Sequence, residues 1–215
     1  MANMKLYMTP GSCSTAIHII LEEIEALFEA HIVNLPAGDQ FKPEYVTINP
    51  KSTIPALVRP DGTALTEVQS IAYWLGRAHP RAGLWPDDIE AQTRAVEAMA
   101  FVVGNVHGQG FARIFAPGAF VDQAGLHERT QAYGRNLVTK GFIILNKMME
   151  GHDYVAGAYS VADPVLFYVV FWADKTGLPI PPNLRAHYRR MLGRRAVVQV
   201  LREEGYNPAG LAASA

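Results

Sequence analysis

The chain has 215 residues, a net charge of −1, 49% apolar residues and 18% charged residues, the balance of a globular protein with a substantial core. Binding to nucleic acid needs a clustered positive excess, which this charge argues against. The longest apolar stretches are about half of what spans a bilayer, no signal peptide is predicted, and a single cysteine cannot form an internal disulfide. We therefore expect a cytoplasmic protein with no membrane partner.

The first 80 residues alternate between strand-like and helix-like patterns. Short alternating apolar runs predict strands, and apolar residues spaced i, i+3, i+4 after Ser14 predict a helix. A Pro-Asp-Gly turn at 60–62 predicts a hairpin. In chain order, the predicted elements are a strand at 5–8, the helix from Ser14, strands at 28–35, 54–59 and 63–65, and a helix at 70–78. This βαβ order followed by ββα predicts a compact α/β unit.

Beyond residue 88 the apolar period is helical throughout. Five helices are predicted, at 88–115, 123–150, 160–175, 182–193 and 194–204. Asp88 suits the first helix as its N-cap, and Ser160 with Asp163 resembles a capping box before a nearly wholly apolar helix. The Pro/Gly/Asp-rich segment 81–88 is typical of a linker. We therefore predict domains at 1–80 and 89–215, an α/β unit followed by an all-α unit.

Cys13 lies in a Gly-Ser-Cys-Ser turn between the first strand and the first helix. Unpaired N–H groups and the helix dipole lower the pKa of a thiol at a helix N-terminus. The hydroxyls of Ser12 and Ser14 offer further hydrogen bonds to the same sulfur. The alternative is a small buried hydrophobe that packs under the turn. Position in the chain leaves both interpretations open.

Two further turns could bind a ligand. An X-Pro bond at Ile54-Pro55, just before a strand, is a place where a cis isomer occurs, and it would turn the Ile54 peptide groups toward an adjoining peptide. The alternative is a trans proline that begins an edge strand. Glu67 precedes a helix, where a carboxylate can accept from an ammonium and the helix N–H groups can bind an anion. Its alternative role is that of a helix cap.

Together these features resemble the glutathione transferase family, and the bacterial beta class in particular. The stretches that carry the resemblance are MKLYMTPGSCS, INPKSTIPAL, DGTALTEVQSIAYWL, FVVGNVHGQGFARIF and SVADPVLF. They cover essentially the whole chain in order. The resemblance implies a thioredoxin-like N-terminal domain that binds glutathione as substrate, a helical domain that lines the site of the second substrate, and a homodimer.

The resemblance also implies roles for single residues. Cys13 and His107 correspond to the cysteine and histidine beside the glutathione sulfur, where they would act in catalysis. Contacts with the rest of glutathione would come from Ser12, Ser14, Lys42, Thr53, Ile54, Pro55, Glu67 and Val68. The loop at 36–42 lacks an early lysine that often reaches the glycyl carboxylate, and either Lys42 takes its place or no residue does. The second substrate would contact aromatic residues among Phe111, Phe115, Tyr168 and Trp172, of which we expect about half to reach it.

The implied activity is conjugation of the glutathione thiolate to small apolar electrophiles in detoxification, thiol–disulfide exchange through Cys13, or both. Val68 and the lysine-poor loop depart from the family pattern, so a ligand-binding protein with little turnover is the alternative. A third possibility is an interaction protein that keeps only the fold. The histidines show no spacing typical of metal ligands, and no metal site is predicted. Gly104, Gly108 and Gly110 interrupt the predicted helix at 88–115, which predicts either a close approach of glutathione or the partner subunit, or a kinked and locally weak helix.

Overall fold

The computed structural model describes residues 3–214, and its first part is built around one four-stranded sheet. The strands are β1 (Met4–Met8), β2 (Phe28–Ile32), β3 (Ala56–Val58) and β4 (Ala64–Thr66), in the spatial order β2-β1-β3-β4. β2 runs parallel to β1, and β3 and β4 pair antiparallel with their neighbours. Leu6 in the central strand β1 pairs with Leu57, and both are fully buried.

Three helices complete this part: α1 (Ser14–Glu23), α2 (Pro43–Ile48) and α3 (Val68–Ala78). The predicted βαβ-ββα order is confirmed, with α2 as an unpredicted addition. Six residues are too few to show a helical period, and Pro43 at the first turn is the one sequence signal for α2. α1 connects the parallel strands β1 and β2, which need such a crossover.

The remainder of the described chain is helical. Its elements are α4 (Ile89–Phe101), a π-helical segment (Val102–Phe111), α5 (Ala112–Phe115), α6 (His127–Met148), α7 (Ala162–Thr176), α8 (Pro182–Leu192), α9 (Arg195–Glu203) and α10 (Pro208–Ser214). The thioredoxin-like α/β part followed by an all-helical part confirms the predicted fold class. Met1, Ala2 and Ala215, which the predicted domains include, lie outside the described residues, and the boundaries at 80 and 89 stay a prediction.

The predicted helix at 88–115 is one continuous rod of α, π and α turns. Asp88 caps it, as predicted, by accepting a hydrogen bond from the Ala91 N–H at 2.8 Å. A Cβ at Gly110 would lie 2.7 Å from Val138 Cγ2 on α6, and a Cβ at Gly134 would lie 2.7 Å from the Gly110 oxygen. The group that approaches Gly110 closely is therefore α6 of the same chain, and the predicted approach of glutathione or the partner subunit stays a prediction.

α7 forms the centre of the helical core, because every residue from Ala162 to Ala173 is buried. The Asp163 carboxylate accepts from the Ser160 N–H at 2.8 Å and from the Val155 N–H at 2.9 Å, which is the Asp163 half of the predicted capping box, while Ser160 Oγ accepts from the Ala162 N–H at 3.3 Å. α1 packs against both α7 and α9, so the turn between β1 and α1 faces the C-terminal helices. Across residues 3–214, no helix has both the length and the apolar composition that a bilayer crossing requires.

Candidate active site

A cavity of about 680 Å³ opens where the β1–α1 turn faces the C-terminal helices. This is the size of a site for a small molecule. The residues that line it are Pro10, Gly11, Ser12, Cys13, Leu35, Gln40, Lys51, Ser52, Thr53, Ile54, Glu67, Val68, Val103, His107, Phe115, Phe171, Trp172, Lys175 and Tyr206. Most of the predicted site residues are therefore brought together around one space.

Cys13 lies at the base of the cavity as the N-cap of α1, and only 6% of it is exposed. Its Sγ donates to the Ile54 carbonyl oxygen at 3.5 Å. Burial raises the pKa of the Cys13 thiol to about 12 and outweighs the backbone N–H groups of Cys13 and Ser14, which lower it. Of the two interpretations left open for Cys13, the structure favours the buried thiol over the lowered pKa, because loss of water around the sulfur exceeds the effect of the helix N-terminus. Cys13 is a neutral thiol at pH 7.

The two serines beside Cys13 have different positions. Ser12 lines the cavity, and its Oγ accepts from the Ser14 N–H at 3.1 Å. Ser14 is fully buried, where its Oγ donates to the Thr9 oxygen at 3.0 Å and accepts from the Thr9 N–H at 3.1 Å. Ser14 therefore stabilises the turn from inside and does not face the cavity, because its hydroxyl satisfies the backbone of Thr9.

Gly11 is held in the turn by the C-terminal part of the chain. Its N–H donates to Glu204 Oε2 at 2.7 Å, and its carbonyl oxygen accepts from Trp172 Nε1 at 2.7 Å. Glycine is required here, because φ is +72° and a Cβ would lie 1.9 Å from the Tyr206 hydroxyl oxygen. The buried Glu204 also accepts from Thr15 Oγ1 at 2.6 Å. These contacts place the β1–α1 turn directly against α7 and the end of α9.

His107 reaches the cavity from the π-helical segment, a type of helix that is frequent at functional sites. Its Nδ1 lies 3.2 Å from the Tyr168 hydroxyl, and its ring meets Trp172 edge-on at 4.8 Å between centroids. Burial lowers the pKa of His107 to about 4. Burial also raises the pKa of Tyr168 well above its ordinary value. At neutral pH the imidazole is therefore neutral and the phenol keeps its proton.

Glu67 and Val68 form a charged end of the cavity at the start of α3. Lys51 Nζ lies 2.7 Å from Glu67 Oε1 and donates to Thr66 Oγ1 at 2.9 Å. Val68 is the first residue of α3, and N–H groups in the first turn of a helix have no acceptor within that helix. An ammonium and a carboxylate can therefore both be bound here. The sequence did not predict Lys51, which lies in a loop without any periodic pattern.

Backbone geometry at this end is unusual at three points. Ser52 has a φ of +54° and Glu67 a φ of +73°, values that residues other than glycine rarely adopt. Both line the cavity, and such strain is concentrated at binding sites. The Ile54-Pro55 bond is cis, so the cis alternative is the correct one. Thr53 and Ile54 line the cavity, while Pro55 is buried behind them.

The structure does not bring Lys42 to the cavity. Its Nζ forms an ion pair with Asp39 Oδ1 at 2.6 Å, and the exposed side chain follows the surface. Because Lys42 pairs with Asp39 and does not line the cavity, it does not take the place of the missing early lysine. Gln40 lines the cavity instead, and within the described residues its buried Oε1 has no hydrogen-bond partner.

Two of the four predicted aromatic residues reach the cavity. Phe115 and Trp172 line it, and Phe115 is 52% exposed. Phe111 and Tyr168 are fully buried behind them, with Phe111 stacked on Phe115 at 5.5 Å between ring centroids. That about half of the four contact the second substrate stays a prediction, and the two buried rings support the two that line the cavity. Among the residues after 88, the cavity is also lined by four that the sequence analysis did not single out: Val103, Phe171, Lys175 and Tyr206.

His18 is buried on α1 and lies between two carboxylates. Its Nδ1 lies 3.0 Å from Glu204 Oε1 and its Nε2 lies 3.1 Å from Glu203 Oε2. With Glu22 added, one ligand atom from each of His18, Glu22 and Glu203 lies within 4.8 Å of the others. None of these three residues lines the cavity, and the absence of a metal site stays a prediction.

Sequence comparison identifies the family. Residues 11–78 match the family described as Glutathione S-transferase, N-terminal domain. The protein named Glutathione S-transferase GST-4.5 from Xanthomonas campestris pv. campestris is 30% identical over 208 residues, which cover 95% of this chain and all of that protein. This chain belongs to the glutathione S-transferase family. It is therefore a transferase that uses glutathione as its substrate.

Solved structures agree with this membership. A glutathione transferase homologue from Sulfitobacter, with bound glutathione, is 29% identical, has a TM-score of 0.87 and is matched over 94% of this chain and 99% of its own. The bacterial beta class glutathione S-transferase from Sphingomonas chungbukensis is also 29% identical, with a TM-score of 0.81 over 94% of this chain and 100% of its own. The predicted resemblance is confirmed, and glutathione conjugation is favoured over binding without turnover.

Proposed function

We propose that this glutathione S-transferase joins the sulfur of glutathione to small apolar electrophiles held in the same cavity. One observation carries the proposal: a single cavity has a charged end at Glu67, an aromatic end at Trp172, and Cys13 and His107 among its lining residues. The tripeptide needs charged partners at its ends, and an apolar electrophile needs apolar surface. The bound glutathione in the Sulfitobacter homologue supports the proposal.

Glutathione would lie along the N-terminal side of the cavity. Glu67 would accept from the ammonium of its γ-glutamyl group, and the Val68 N–H would donate to the carboxylate of that group. Lys51, already paired with Glu67 at 2.7 Å, keeps this carboxylate in position. The peptide groups of Ile54, before the cis bond, would pair with the cysteinyl backbone. Ser12 and Thr53 line the path between these points.

Cys13 would act through its thiol proton. A thiol with a pKa of about 12 is almost entirely S–H at pH 7, so it is a poor nucleophile and a hydrogen-bond donor to an adjacent thiolate. The Cys13 proton that now points to the Ile54 oxygen can turn to the sulfur of glutathione. This argues for conjugation and against thiol–disulfide exchange through Cys13, since exchange begins with a thiolate.

His107 would provide a second donor to the same thiolate. If the protonated Tyr168 hydroxyl donates to Nδ1, the neutral ring carries its proton on Nε2, where it can donate. With a pKa of about 4, the ring is a weak base and is better suited to stabilising a thiolate than to removing the thiol proton. The thiol proton then passes to solvent, the sulfur–carbon bond forms, and a leaving group such as chloride departs with its electron pair.

The test combines calorimetry with glutathione and turnover of 1-chloro-2,4-dinitrobenzene. We expect glutathione binding and turnover in the native protein. Cys13→Ala and His107→Ala should each lower kcat by about 10-fold or more, since each removes one hydrogen bond to the thiolate. His152→Ala, at an exposed position away from the cavity, is the matched control and should leave both unchanged. Absence of glutathione binding at millimolar concentration would contradict the proposal.

Two further points belong to the proposal. A homodimer is supported by family membership and by large exposed apolar residues on α3 and α4, among them Tyr73, Ile89 and Val96. Light scattering should give twice the chain mass, and Val96→Glu should reduce it toward the monomer.

A cytoplasmic location is supported by the single cysteine, which suits a reducing compartment.

A further inference from the structure

The aromatic side of the cavity carries a cation with no carboxylate partner in the described part of the chain. Lys175 lines the cavity from α7, three residues after Trp172, and its ammonium lies 5.7 Å from the centroid of the Tyr206 ring. Lys51, which also lines the cavity, is by contrast paired with Glu67 at 2.7 Å. A positive charge is therefore available at one end of an otherwise apolar surface.

Tyr206 adds a hydroxyl to the same place. Its oxygen lies close to Gly11 in the β1–α1 turn, where a Cβ would be only 1.9 Å away. Burial, followed by the charge of Glu204, raises the pKa of Tyr206, so the hydroxyl keeps its proton and can donate. An ammonium and a phenol thus border the space beside Trp172, next to the turn that carries Cys13.

We propose that the electrophiles of this enzyme carry an acidic group, a carboxylate or a sulfonate, which Lys175 and Tyr206 bind while the apolar body packs on Trp172. This inference rests on the proposed function, since it names the class of its second substrate. An unpaired cation at the edge of an apolar cavity favours an anion there over a neutral group. Lys175 is exposed, so the preference is modest, about 3- to 10-fold.

The test uses two substrates that differ in charge and share one reaction. These are 4-chloro-3,5-dinitrobenzoate and its methyl ester, from which the glutathione sulfur displaces chloride while the thiol proton passes to solvent. Lys175→Gln should lower kcat/KM for the acid by about 3- to 10-fold and leave the ester within about twofold. Tyr206→Phe should give a smaller loss for the acid. Lys140→Gln, which removes an exposed lysine of α6 outside the cavity, is the matched control.

Ionic strength provides an independent readout. Raising it from about 0.05 to about 0.5 M should lower the acid-to-ester ratio of kcat/KM in the native enzyme but not in Lys175→Gln, because salt screens the exposed charge. Equal losses for acid and ester would overturn the inference. So would a raised KM for glutathione in Lys175→Gln with an unchanged acid-to-ester ratio, since Lys175 would then bind the peptide. If the native enzyme turned over neither substrate nor 1-chloro-2,4-dinitrobenzene, the proposed function would fall as well.

Discussion

The two sides of the cavity differ in the groups that they present to a ligand: one presents mainly backbone and the other mainly side chains. The N-terminal side presents backbone in unusual conformations, with positive φ at Ser52 and Glu67 and a cis bond before Pro55. The C-terminal side presents side chains from helices, chiefly Phe115 and Trp172. Backbone geometry persists through most substitutions, whereas a side chain changes with one. Glutathione, the substrate that the family shares, suits the first side.

Cys13 lies where the two sides meet, and its reactivity gives the largest expected effect. It is the only cysteine, so alkylation has one possible site. Because burial raises its pKa to about 12, we expect iodoacetamide at pH 8 to react about two to three orders of magnitude more slowly than with an unfolded chain. The rate should increase with pH, since the thiolate fraction keeps growing up to that pKa.

Mass spectrometry measures this rate directly, and the same protein in urea is the matched control. Both samples contain the same thiol, and only burial differs. Equal rates in the native and unfolded protein would restore the hypothesis of a thiolate at the helix N-terminus. Cys13 would then be a reactive thiolate in the cavity and not a buried neutral thiol.

The charged end of the N-terminal side gives the next effect. Glu67→Gln should weaken glutathione binding by about 10- to 100-fold, because it removes one charge-assisted hydrogen bond and leaves Lys51 without its partner. The KM for the electrophile should not change. Calorimetry measures the first quantity, and Glu29→Gln is the control, since it removes an exposed carboxylate that pairs with Lys5 at 3.8 Å. A raised electrophile KM would show that the two sides do not act separately.

The aromatic side gives the smallest effect and the opposite pattern. Phe115→Ala should raise the KM for an apolar electrophile by about 3- to 10-fold, since it removes apolar surface from the cavity, and should leave glutathione binding unchanged. Phe120→Ala is the control, because Phe120 is 42% exposed and does not line the cavity. Steady-state kinetics with both substrates varied distinguishes the two results. A weaker affinity for glutathione would mean that Phe115 also supports the peptide.

The order of elements could be predicted because it depends on local patterns. The period of two before Met8, the helical period after Ser14 and the turn at 60–62 each reflect nearby residues, and each element was found. The π-helical form of residues 102–111 could not be predicted from the sequence. Its geometry depends on the contact between Gly110 and α6, whose residues follow later in the chain.

The site was predictable in position but not in chemistry. Cys13 was placed correctly at a helix N-terminus, yet its pKa depends on burial by residues far away in sequence. Ser14 and Lys42 have the right chemistry but are turned away, toward Thr9 and Asp39. Local sequence does not show which hydrogen-bond or ion-pair partner a side chain has, because that partner is determined by the packing of the whole chain.

The hydrogen bonds of Gly11 have a consequence for how the site is assembled. Its N–H donates to Glu204, which lies 193 positions later in the chain, and its carbonyl oxygen accepts from Trp172, which lies 161 positions later. The amide hydrogen of Gly11 should therefore be protected from exchange with solvent only while α7 and the end of α9 are docked. During synthesis this turn leaves the ribosome well before α7 and α9, and it takes its final form only when those helices have followed.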